Sequence, residues 1–129
     1  MTKSILLDKF PINSLEIQKN ETEFTNIDQF LVYFQEKIEV HPIAAFIATF
    51  DHFTHTSSIN GDIDVNMKDA KAVIFCFGSQ IPSSKILAAR PRTIAIAEYE
   101  NNFVIEFMDA PNEKLQLVME EWSHNLIVK

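Results

Sequence analysis

Ala72-Val73-Ile74-Phe75-Cys76-Phe77 is the stretch that decides the fold: six consecutive apolar residues, β-branched or aromatic in the main, closed by Gly78. The run is too short for a free-standing helix and reads as a strand buried on both faces. Working outward, Pro82 stands where the first turn of a helix tolerates a missing N–H. Residues 83–89 are good helix formers before Pro91 stops them. Residues 93–99 and 103–108 then alternate with the two-residue period of strands, Ile94 and Ile96 in one, Phe103, Ile105 and Phe107 in the other. Glu100-Asn101-Asn102 between them suits a tight turn, so residues 71–108 read as strand, short helix and hairpin.

On either side the pattern changes to 3.6 residues. Ile27, Phe30, Leu31, Phe34 and Ile38 form one apolar stripe, entered through a capping sequence at Thr25-Asn26-Ile27-Asp28 and limited by Pro42. Leu115, Val118, Met119, Trp122 and Leu126 repeat the spacing, with Asp109 as the expected N-cap and Pro111 early in the helix. Strands are expected at residues 14–18 and 43–51. In the second, Ala44, Phe46, Ala48 and Phe50 share one face and Ile43, Ala45, Ile47 and Thr49 the other. The expected architecture is α+β: a curved, mostly antiparallel sheet of about five strands with two main helices on one face, in the order β-α-β-β-(short α)-β-β-α. Residues 14–129 form the single domain. Residues 1–13, with Pro11 against a central strand, are expected to be a tail or loosely docked arm. Residues 52–68, rich in Thr, Ser, Asn and Asp, read as a loop with irregular or short helical pieces.

The chain has 129 residues, enough for one domain without a disulfide or metal to hold it. Its formal charge of −7 argues against nucleic acid as a partner, because phosphate contact needs a basic face. Cys76 is the only cysteine, no run approaches a membrane span and no signal peptide opens the chain, so a cytoplasmic location is expected. Cys76 itself reads as an inert core thiol, since burial disfavours the thiolate that catalysis needs.

The runs Phe50-Asp51-His52, Val73-Ile74-Phe75-Cys76-Phe77-Gly78, Ala88-Ala89-Arg90-Pro91 and Ile105-Glu106-Phe107-Met108-Asp109-Ala110-Pro111 resemble, in order, the motifs of the DUF302 family of bacterial domains of unknown function. The resemblance covers residues 15–122. It implies a TATA-binding-protein-like, helix-grip fold, a homodimer, and no established activity. Two motifs depart from that family: Phe77-Gly78-Ser79-Gln80 stands for its Phe-Gly-Asn-Pro, and Pro82-Ser83-Ser84-Lys85 for its Gly-Thr-Pro.

No catalytic motif stands in the chain, and no cofactor is indicated. Eleven phenylalanines imply a bulky aromatic core or an aromatic-lined pocket. The leading expectation is a non-enzymatic domain binding a small apolar or anionic molecule between the sheet and the helices, among Phe46, Phe50, Phe75, Phe77, Phe103 and Phe107. Ser79, Ser83, Lys85, Arg90 and Arg92 lie close enough along the chain to meet one anion, although helix capping and a basic last turn explain them equally. A second expectation is a metal site, or a metal-dependent enzyme, built on Asp51, His52 and His55. A third is a structural homodimer using a strand edge or a face carrying Met108, Met119 and Trp122. The acid pairs Glu98/Glu100 and Glu120/Glu121 read as solubility charge.

Overall fold

The computed structural model describes residues 1–128; Lys129, the last residue of the expected 14–129 domain, lies outside them. The elements run Thr2–Leu6 (β1), Phe10–Gln18 (β2), a 3-10 turn at Lys19–Glu21, Ile27–Val40 (α1), Ala44–Asp51 (β3), His52–Ser58 (α2), Asp69–Phe77 (β4), Ser84–Ala88 (α3), Arg92–Glu98 (β5), Asn102–Met108 (β6) and Glu113–His124 (α4). All six strands pair antiparallel in one open sheet of order β1-β2-β6-β5-β4-β3. The α+β class and the two main helices, α1 and α4, against one sheet face are as the periodicities predict.

The core lies where the two helical stripes meet the sheet. Ile27, Phe30, Leu31, Phe34 and Ile38 of α1, and Leu115, Met119 and Trp122 of α4, are buried on Leu15, Ile17, Val73, Phe75, Ile94, Ile96, Phe103 and Ile105. Each fully buried side chain of this size contributes about 1.5–3 kcal/mol over its exposed state. The Tyr33 hydroxyl donates to the Trp122 carbonyl at 2.7 Å and ties the two helices together. Helix α1 opens as expected, one residue along: Asn26 is the N-cap and accepts from the Gln29 N–H, while the Gln29 side chain accepts from the Asn26 N–H.

Three local expectations are corrected and one is given its bounds. The N-terminal arm is a β-hairpin: β1 pairs with β2, and Pro11 sits opposite Ile5 with its carbonyl, and so its missing N–H, on the side where β6 has just ended at Met108. The short helical piece expected within residues 52–68 is helix α2, residues 52–58, begun by Asp51, whose carboxylate accepts from the Thr54 N–H at 2.9 Å. Helix α4 is capped by Asn112 rather than Asp109, because Asp109 is engaged by Asn13 and Lys3. The alternation of β3 breaks at a bulge between Phe46 and Ala48. Ala44 and Phe46 therefore pair opposite Phe77 and Phe75 on the core face, whereas Ala48 and Phe50 pair opposite Ile74 and Ala72 on the other. That second face is covered in part by α2, and Cys76 stands on it half-buried rather than in the core.

Candidate functional site

Strand β4 ends at Phe77, and the chain crosses to β5 through residues 78–91, with α3 in their middle. The five-residue α3 is anchored by the Ala89 N–H to Ile86 and the Arg90 N–H to Leu87, and the Arg90–Pro91 peptide is cis. This returning segment, the end of β4 and the first turn of α4 enclose a cleft of about 280 Å³. Its walls are apolar at Ile43, Phe77, Pro82, Ile86 and Leu115, and its polar side chains are Ser79, Gln80, Asn112 and three cations, Arg90, Arg92 and Lys114.

The two arginines are held by main-chain carbonyls rather than by acids. Arg90 donates from Nη2 to the Gln80 carbonyl at 2.8 Å, with its guanidinium over the bare α-carbon of Gly78. Arg92 begins β5 opposite Phe75 and donates from Nη2 to the carbonyls of Met108 and Asp109. Its Nε is buried without a partner. Burial pulls the Arg92 pKa below its ordinary value, with the nearby Asp109 carboxylate opposing. Among the described residues none of Arg90, Arg92 and Lys114 forms an ion pair, whereas Lys3, Lys19, Lys68 and Lys71 all do. Two other grooves carry carboxylates: the one along α1, about 500 Å³, has Asp28 and Glu36, and the one beside the β5–β6 turn, about 520 Å³, has Glu16 and Glu100 beside Lys68.

The residues expected from sequence are distributed as follows. Phe75, Phe103 and Phe107 are core, packed under α1 and α4, so the space between sheet and helices is filled by the protein's own side chains. Phe46 is partly buried beside them, and Phe50 is on the opposite face beyond the bulge; of the six, Phe77 alone reaches the cleft. Ser79, Arg90 and Arg92 are brought together there, while Ser83 and Lys85 are exposed at the start of α3 and do not line it. The Phe50 ring lies 4.7 Å from His52 and 5.6 Å from His55 between ring centroids. Asp51 caps α2, and among the described residues no group of three or more His, Cys, Asp or Glu is arranged to hold a metal ion. The main-chain bond from Thr54, before other causes, holds the Asp51 pKa below its usual value. Met119 and Trp122 are buried in the core and Met108 is exposed on the other sheet face, so the three do not form one surface. Lys114 and Asn112 had no sequence signal as site residues, because they belong to an ordinary polar helix start and reach the cleft only through tertiary structure.

Fold and cleft together define a small α+β protein with one cation-lined recess at the end of an antiparallel sheet. The chain matches the family of unknown function DUF6858 over residues 1–128 and belongs to that family. The family matched is thus another family of unknown function rather than DUF302. No curated protein and no solved structure matches the chain. Among the described residues no helix is long and apolar enough to cross a membrane.

Proposed function

We propose that this protein is a non-enzymatic small-molecule-binding domain whose ligand carries an anionic group into the cleft beneath α3. The observation that carries the reading is the sign of the lining: Arg90, Arg92 and Lys114 face one recess with no carboxylate in its wall, in a chain of net charge −7. Cations left unpaired beside one another repel, and an anion between them removes that cost. The arginine anchoring supports the same reading. Guanidinium groups fixed by main-chain carbonyls lose little freedom when a ligand arrives, which favours binding.

The test is calorimetric titration of the protein with inorganic phosphate, sulfate, hexanoate, benzoate and hexyl phosphate, beside the R90Q/K114Q double variant. Both substituted side chains are on the protein's periphery, and circular dichroism checks that the variant folds. Binding of at least one of these anions to the wild type, weakened about tenfold or more in the variant, is the expected result. Binding by none, or equal binding by both proteins, overturns the proposal.

A further inference from the structure

Resting on that reading, we infer that the anion is a monocarboxylate with an apolar body, rather than a phosphate or phosphate ester. A phosphate site generally offers several free main-chain N–H groups at a helix start. Here the N–H groups of Lys114, Leu115 and Gln116 at the start of α4 are already taken. The Asn112 side chain accepts from the N–H groups of Lys114 at 2.8 Å and Leu115 at 3.3 Å. The Gln116 N–H donates to the Asn112 carbonyl, and the Ala110 N–H donates to the Gln116 side chain. A phosphate that used those N–H groups would have to displace the cap of α4, at a cost of about 1 kcal/mol.

What remains for a ligand is cationic at one side and hydrocarbon at the other. Arg90 has one Nη2 bond committed to Gln80, which leaves further donors of its planar fork for the two oxygens of a carboxylate. Ile43, Phe77, Pro82, Ile86 and Leu115 line the rest of the recess, so a ligand of headgroup alone would leave most of that wall against water. At about 280 Å³ the cleft is at the small end of ligand sites, which suits a short-chain or single-ring acid and excludes a nucleotide.

The experiment is a chain-length series, acetate, butyrate and hexanoate, titrated calorimetrically against the wild-type protein beside hexyl phosphate and hexanol. Affinity is expected to rise about fourfold for each buried methylene. Hexanoate is expected to bind more tightly than hexyl phosphate, and hexanol, lacking charge, to bind at least tenfold more weakly than hexanoate. Tighter binding of hexyl phosphate, or affinity that does not change along the series while still depending on Arg90 and Lys114, overturns the carboxylate assignment and leaves the anion site standing. No binding by any probe overturns both.

Discussion

The Arg90 guanidinium rests on Gly78 so closely that a β-carbon at residue 78 would stand 2.2 Å from Nη2 and 2.5 Å from Cζ. Gly78 is not at positive φ, so its lack of a side chain matters through space rather than through backbone freedom. The end of an arginine can swing aside, and the G78A protein should therefore fold with nearly wild-type stability while losing the Arg90–Gln80 bond. Hexanoate affinity should fall about tenfold, the equivalent of one hydrogen bond to a charged group. Titration and a thermal melt on the same sample separate the two effects.

Phe30 of α1 and Phe103 of β6 meet with ring centroids 4.7 Å apart, both fully buried. Each single change to Ala should cost about 3–5 kcal/mol, from lost transfer energy and the cavity left behind. Because the rings touch, the double change should cost less than the sum, which urea denaturation of the three variants will measure.

Leu7 and Asp8, in the turn between β1 and β2, have φ of 53° and 57°. A leucine side chain strains the left-handed region, and Asn tolerates it better. L7N should raise stability by up to about 1 kcal/mol with no change elsewhere in the sheet, as read by urea denaturation.

The Asp109 pKa is lowered first by the Asn13 side-chain hydrogen bond and then by the Lys3 hydrogen bond. A depressed carboxylate favours the folded state fully above its unfolded pKa and loses that contribution as pH falls through the lower, folded value. The docking of β1 should thus hold near neutrality and loosen in acid, as Asp109 takes up a proton. Hydrogen exchange of the β1 amides, corrected for intrinsic rates, should show protection falling from about pH 6 to about pH 3, with a smaller fall in D109N.

What could be read from sequence was what repeats. The stripes of α1 and α4 and the alternation of β5 and β6 are periodic, and each formed where its period placed it. Residue 47 shows what periodicity cannot carry: one bulge moves Phe50 to the opposite face, and nothing in the alternation of 43–51 marks it. Helix α2 lacks an apolar stripe, so nothing periodic in residues 52–58 marked its bounds. The cleft was half legible. Ser79, Arg90 and Arg92 are neighbours in sequence, but Ile43 and Lys114 join them only because β4 runs between β3 and β5 and α4 begins beside the end of that sheet. The phenylalanine-lined cavity expected between sheet and helices failed for a simpler reason: large rings fill whatever space the helices leave.

Strand β2 takes its inner partner from β6, with Gln18 opposite Asn102 and Ile12 opposite Met108. On a ribosome adding roughly 5–20 residues per second, β2 therefore waits on the order of ten seconds for the strand that completes it. During that interval Leu15 and Ile17 lack their β6 partners Ile105 and Phe103. Nascent chains of this topology carry an uncovered apolar edge for most of their synthesis, which is the species that holdase chaperones capture.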